Sequence, residues 1–115
     1  MQAPTLNIDE LVREAENAAR TEGHRYFTEV MGGLDGDCCG FCWVEVSGAR
    51  GKIAAALQEN GFYKSTSFNG RAVLCYHFRH GQKTQGLSCL EVANTAAAKV
   101  LAEAGLTVGT RSMMD

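Results

Sequence analysis

The amino-acid sequence predicts an α+β domain in which one helix precedes a core of order β-α-β-β-α-β. Three observations support this order. The chain spells a similar ending twice, LQENGF at 57–62 and LAEAGL at 101–106, and each is typical of a helix that stops at a glycine. A β-rich run, FCWVEV at 41–46, precedes the first of these endings. An Asn-Gly pair at 69–70 lies between two further β-rich runs and predicts a hairpin.

The first predicted helix begins at Asn7, whose side chain can cap the free amides, while Glu10 completes a capping box. Apolar residues then recur at helical spacing, and Gly23 is the expected stop. The segment 26–31, YFTEVM, is aromatic and β-branched, which predicts a short strand. The glycine-rich segment 32–37 is a predicted loop.

The strand at 41–46 divides by alternation into two faces. One face holds Cys42, Val44 and Val46, and the other holds Phe41, Trp43 and Glu45. The second helix follows from about Ala49 and stops at Gly61. The third has a capping box at Ser88 and Glu91 and stops at Gly105.

The remaining predicted strands are 63–68 and 71–79, on either side of the Asn-Gly turn, and 107–114. Together these elements predict the ferredoxin-like, split-βαβ arrangement: an antiparallel sheet with two helices on one face. We expect one domain over residues 1–115, with an N-terminal helix and extension at 1–31 and the core at 38–115. The additional helix either covers the second face of the sheet or leaves that face to a partner.

Composition is that of one globular domain. The 115 residues are 45% hydrophobic and 21% charged, and no apolar run reaches the ~20 residues that a membrane span needs. Without a secretion signal, the five cysteines are expected to be reduced thiols in a cytosolic protein. Although the net charge is −2, acidic residues dominate 1–47 and basic residues dominate 48–83.

The basic middle segment supplies the predicted partner-binding surface. Its members are Arg50, Lys52, Lys64, Arg71, Arg79 and Lys83. Such segregation also arises when acidic and basic parts of one fold face each other, and that alternative stays open. GARGK at 48–52 opens a helix after a strand but lacks the full phosphate-loop pattern.

Aromatic residues offer a second kind of surface. RNA-reading domains of this topology stack bases on aromatic side chains of their two central strands. Phe41 and Trp43 share one face of the first of these strands, and the strand at 71–79 offers one of two sets: Leu74, Tyr76 and Phe78, or Val73, Cys75, His77 and Arg79. With the second set, the possible stacking residues are Phe41, Trp43 and His77. Because a large exposed apolar patch needs a reason, the competing expectation is that helix one covers Trp43 or that a homodimer buries it.

The Cys-Gly-Phe-Cys run at 39–42 has the spacing of a dithiol redox motif or a zinc knuckle. It leads into a strand rather than a helix, which argues against redox chemistry. A zinc set of Cys39, Cys42, His77 and His80 is an alternative, but its spacing matches no standard site. We therefore expect no metal and no cofactor. No nucleophile–base pair stands out, which predicts a protein that is not an enzyme.

Four segments of the chain form a recognisable set: DCCGFCWVEV (37–46), ENGFYKSTSFNGRAVLCYHF (59–78), EVANTAAAKVLAEAGL (91–106) and SMMD (112–115). Together they resemble a family of small tailed-phage and prophage proteins of uncharacterised function. The family pattern is Cys-Gly-Phe-x-Trp-Val, and the resemblance covers about 36–115. This chain departs at Cys42, where the family has Ala, which weakens the zinc set. It departs again at Met113, where the family has Arg, which weakens a basic role for the tail.

The resemblance implies a phage or prophage accessory protein in the bacterial cytoplasm. Our leading hypothesis is a non-enzymatic protein that binds a host or phage protein or nucleoprotein complex, as an anti-CRISPR-type inhibitor of host defence does. One alternative is a small RNA- or DNA-binding module that uses the aromatic sheet face. Another is a homodimer that binds a small molecule in its groove.

Overall fold

The computed structural model describes residues 7–33, 39–82, 84 and 86–114. Its elements are α1 (Ile8–Arg25), a π-helical turn (Tyr26–Val30), β1 (Gly40–Ser47), α2 (Gly51–Glu59), β2 (Tyr63–Thr66), β3 (Ala72–Tyr76), α3 (Leu87–Glu103) and β4 (Thr107–Met114). The predicted α+β class is confirmed, with an N-terminal helix and a four-stranded antiparallel sheet.

The predicted strand at 26–31 is wrong, because α1 continues as a π-helical turn over Tyr26–Val30. The Met31 amide donates to the Tyr26 carbonyl at 3.0 Å, and the Thr28 hydroxyl donates to the His24 carbonyl at 2.8 Å. These local bonds satisfy backbone groups that a strand would present to a neighbour.

The start of α1 is as predicted, and its end is not. Asn7 Oδ1 accepts a hydrogen bond from the Glu10 amide at 3.2 Å. The predicted stop at Gly23 is wrong, since the helix continues to Arg25. Gly23 instead permits close packing, because a Cβ there would collide with Cβ of His80.

Both repeated endings are glycine helix stops, as predicted. Gly61 has φ +101° and Gly105 has φ +103°, a conformation that glycine adopts without steric cost. The amide of the residue after each glycine donates a hydrogen bond to the carbonyl five residues earlier: Phe62 to Leu57 at 3.1 Å, and Leu106 to Leu101 at 3.2 Å. These are the hydrogen bonds of a Schellman motif.

The strand order in the sheet is β2-β3-β1-β4, and every neighbouring pair is antiparallel. The predicted turn at 69–70 joins β2 to β3: Gly70 has φ +80°, and the Ser67 amide donates to the Arg71 carbonyl at 2.8 Å. Strand β1 therefore lies in the middle of the sheet, between β3 and β4.

All three helices contribute to one hydrophobic core. That core takes Val44 and Val46 from β1, Leu57 from α2 and Leu101 from α3, all at most 1% exposed. The apolar side of α1 joins the same cluster, and α1 packs chiefly against α3.

The position of α1 contradicts the expectation that it covers Trp43. Two side-chain hydrogen bonds hold α1 in place: Tyr76 of β3 donates to Glu16 at 3.2 Å, and Asn60 at the end of α2 donates to Asp9 at 2.7 Å. Tyr76 belongs to the core side of the sheet, because it pairs with the buried Val44. An amphipathic stripe shows that a helix has a buried side, but not which surface buries it.

Candidate functional site: the open face of the sheet

The side of the sheet that faces away from the core is called the open face here. Alternation along β1 places Phe41, Trp43, Glu45 and Ser47 on it, opposite the buried Cys42, Val44 and Val46. The strand registers bring further residues to this side. They are Tyr63 and Ser65 of β2, Val73 and Cys75 of β3, and Thr107, Gly109, Arg111 and Met113 of β4. None of the helices that the structure describes packs on this face.

Three rings form a row across the open face. The Tyr63 ring stacks on the His77 ring with centroids 6.0 Å apart and an interplanar angle of 16°. His77 in turn lies 5.5 Å from the Trp43 ring at 34°. The Tyr63 hydroxyl is 2.9 Å from Nε2 of His77, within hydrogen-bonding distance. The row thus crosses three adjacent strands, and Tyr63 at its outer end is 46% exposed.

Glu45 anchors the row from beside it. Trp43 Nε1 donates to Glu45 Oε2 at 3.2 Å, and Arg111 Nε of β4 lies 3.4 Å from the other carboxylate oxygen. The Arg111 guanidinium also lies 5.0 Å from the ring centre of Phe68 in the hairpin loop, a cation–π contact. These contacts orient Trp43 and neutralise the Glu45 charge.

Apolar side chains and an arginine lie at the end of the open face where β1 begins. Phe41 and Met113 pair across β1 and β4 and are 51% and 56% exposed. Arg79 lines a depression together with Phe41 and Cys39. A flat apolar surface here has a cation at its border.

A second basic group lies at the opposite end of the face, where β1 ends. Arg50 and Arg71 line one depression with Ser47 and Thr107. Arg50 lies directly before α2, and Arg71 lies directly before β3. The open face thus has arginines at both of its ends.

The predicted basic surface is only partly assembled. Arg50 and Arg71 lie together, and Arg79 lies at the other end of the open face. Lys52 lines a depression between α1 and α2, beside Asp9. Lys64 of β2 is opposite Leu74, on the core side, where it is exposed. Lys83 lies outside the described residues.

Burial shifts the pKa values of groups in the row and beneath it. Partial burial lowers the pKa of His77, so the imidazole is neutral at pH 7. Burial also raises the pKa of the Tyr63 hydroxyl and of the Cys75 thiol beneath it. At neutral pH the row is therefore an uncharged aromatic surface, and the positive charge comes from the surrounding arginines.

The alternative zinc set is not brought together. Cys42 faces the core, where Ser112 Oγ donates to its sulfur at 3.6 Å, whereas His77 lies on the open face. His80 is buried, and its Nδ1 accepts from the Gln82 amide at 2.9 Å. Cys39 is an exposed free thiol. Within the described ranges, no three His, Cys, Asp or Glu side chains converge on a common point.

The predicted stacking residues Phe41, Trp43 and His77 all lie on the open face, but only Trp43 and His77 are in ring contact. Sequence reasoning missed Tyr63, Phe68 and Arg111. The alternation of side chains along its predicted strand could have identified Tyr63. No sequence pattern indicated Arg111, because its place beside Glu45 depends on the pairing of β4 with β1.

Comparison of the chain with protein-family models, with curated proteins and with solved structures gave no match. No helix in the described part of the chain has the length and apolar character needed to cross a membrane.

Proposed function

We propose that the sheet is of the ferredoxin-like, split-βαβ type. Counted from the other edge, its order is β4-β1-β3-β2. Helix α2 connects β1 to β2 with β3 lying between them, and α3 connects β3 to β4 with β1 between them. Two interleaved β-α-β units of this kind support the assignment.

We further propose that the protein is a non-enzymatic module that binds single-stranded nucleic acid on the open face. The observation that carries this proposal is the aromatic row of Tyr63, His77 and Trp43 on a sheet face that none of the described helices covers. Unpaired bases stack on such rings, and each stacked base contributes about 1–3 kcal/mol as measured by alanine substitution. Phe41 adds a fourth ring, 51% exposed, on the same face.

The shape of the site favours a single strand over a duplex. Bases in a duplex are stacked on one another, and their edges are reached by a helix or a β-ribbon that enters a groove. The open face is a sheet surface without such a projection among the described residues. It suits bases that are already unstacked and can lie flat against the rings.

Charge supports the same ligand. Arg79 at one end and Arg50 and Arg71 at the other can contact phosphates on a strand that follows the face. Glu45 is the single acidic residue among the described strand residues of this face, and Arg111 pairs with it. Acidic residues are concentrated instead on α1, on the far side of the sheet.

A protein ligand is the second candidate, as expected of an inhibitor of host defence. The observation that favours it is the exposed pair of Phe41 and Met113, an apolar patch of the kind that marks protein contacts. A protein ligand would bind independently of added oligonucleotide, so the two candidates give different results in the experiment below.

Trp43 is the only tryptophan in the chain, so its fluorescence reports on the site directly. We expect a ten-nucleotide oligo-uridine or oligo-thymidine to quench this emission, and a blunt duplex of equal length to do so more weakly. The observed affinity should fall with salt, because binding releases counterions from the phosphates. Absence of quenching by every single strand at low salt would refute nucleic-acid binding and leave the protein ligand.

Variants locate the contact. Phe41→Ala and Tyr63→Ala should each weaken binding by about 1–3 kcal/mol, whereas Val30→Ala, exposed beyond α1, should not. Arg79→Gln should reduce the slope of log affinity against log salt by about 0.7, the value for one phosphate of a single strand. Arg13→Gln, exposed on α1, is the matched control. Equal losses in site and control variants would place the ligand elsewhere.

A further inference from the structure

The two edges of the sheet differ in how they are protected against pairing with another strand. At one edge, β2 is four residues long and carries Lys64. At the other edge, β4 spans eight residues, Thr107–Met114, and pairs residue for residue with β1 without a bulge. No further strand in the described part of the chain pairs with the outer side of β4.

Edge strands normally carry features that prevent pairing, such as short length, lysines, proline, a bulge or a covering element. Among the residues that the structure describes, β4 has none of these features. Its sequence TVGTRSMM includes one charged residue, Arg111, and six of its eight residues are exposed. Arg111 is directed to Glu45 and Phe68 on the open face. The row of backbone amides and carbonyls on the outer side of β4 is therefore free to pair.

We infer that β4 pairs antiparallel with β4 of a second copy of this chain, which joins two sheets into one of eight strands. The second copy is favoured over another protein because the strand is self-complementary. In a two-fold antiparallel pair, facing residues point to the same side of the sheet, so residue numbers that face each other must both be odd or both even.

The register centred on Thr110 satisfies this condition and keeps like charges apart. It places Arg111 opposite the second copy's Gly109, where no side chain competes for space, and Val108 opposite the second copy's Ser112. Pairing centred on Arg111 would instead set two arginines directly opposite each other, which is unfavourable. The Thr110 register pairs residues 107–113 of each copy, which is seven of the eight residues of β4.

The geometry has a consequence for the open face. A two-fold axis perpendicular to the sheet leaves both open faces on the same side. The dimer then presents two copies of the row formed by Tyr63, His77 and Trp43 on one continuous surface. Because β2 is the remaining outer edge in each copy, and is short and lysine-bearing, assembly stops at two chains.

The test is the mass of the full chain, measured by sedimentation across a range of protein concentrations without nucleic acid. The readout is therefore independent of the proposed ligand. We expect a reversible equilibrium between one chain and two. Thr110→Lys sets two lysines opposite each other in the dimer and should raise its dissociation constant about fivefold. Thr66→Lys places the same charge on the exposed β2 edge and should leave the constant unchanged.

A variant with the opposite charge at position 110 tests the same contact. Thr110→Glu alone should weaken self-association as Thr110→Lys does, whereas a mixture of the two variants should form a heterodimer at least as tight as the wild-type dimer. A wild-type chain that stays single at every concentration would overturn the inference. So would equal dimer formation by Thr110→Lys and Thr66→Lys, or growth into larger assemblies.

Discussion

Replacement of Asn94 tests how the end of β3 is held to α3. The side chain is fully buried. Its Oδ1 accepts from the Phe78 amide at 2.9 Å, and its Nδ2 donates to the Phe78 carbonyl at 3.2 Å. A second bond runs from Nδ2 to the Leu90 carbonyl at 2.9 Å. Asn94 thus pairs with Phe78 as a neighbouring strand would, just beyond the last residue of β3.

Asn94→Leu preserves volume but leaves the Phe78 amide and carbonyl without these partners in the interior. Each of the two buried unsatisfied groups costs about 1–3 kcal/mol, and a buried leucine returns about 1.5–3 kcal/mol through the hydrophobic effect. We expect a net loss of about 2 kcal/mol from the free energy of unfolding. For a domain with a typical stability of roughly 5–15 kcal/mol, that is a large fraction.

Urea denaturation followed by circular dichroism measures the loss. With a slope of about 1.5 kcal/mol per molar urea, the midpoint should fall by about 1.3 M. Thr95→Ala, the exposed neighbour on α3, is the control and should change stability by less than about 0.5 kcal/mol. A loss below about 1 kcal/mol for Asn94→Leu would show that Phe78 finds other partners, and would refute the reasoning.

Two further predictions concern the packing of α1 and the histidines. Gly23→Ala should destabilise the protein by about 1–3 kcal/mol, because the new Cβ would collide with that of His80. This loss should exceed the gain from the higher helix propensity of alanine. A variant that unfolds at a higher temperature than the wild type would contradict this packing. Burial lowers the pKa of both His77 and His80, so the unfolded chain binds protons more readily than the folded one. The free energy of unfolding should therefore be highest above pH 6.5 and should fall as the pH drops below that value. Urea midpoints at pH 7.5 and pH 5.5 measure this, and His80→Gln should flatten the dependence; an unchanged slope would assign the loss to other groups.

Local signals in the sequence located both glycine stops, the hairpin turn and the first helix cap. The capping box predicted at Ser88 and Glu91 is wrong, because α3 begins at Leu87 with Gly86 at its N-cap. The stops at Gly61 and Gly105 and the turn at Gly70 each require a positive φ that glycine adopts without steric cost. The cap at Asn7 needs only the amide three residues later. All four positions follow the prediction.

Features that depend on distant contacts were not predictable in the same way. Gly23 resembled a helix stop, yet it serves the approach of His80, 57 positions later in the chain. The side chains of β3 that accompany Trp43 stayed undecided between two sets, because only the register with β1 places His77 rather than Tyr76 on the open face.

The central position of β1 has a consequence for synthesis of the protein. Strand β1 leaves the ribosome before both of its neighbours, and β4 emerges last of the four described strands. Before α3 is synthesised, α1 also lacks its main packing partner. A nascent chain without β4 therefore carries the central strand β1 unpaired on one side, and an arrested or truncated product that ends before β4 would expose that strand to aggregation.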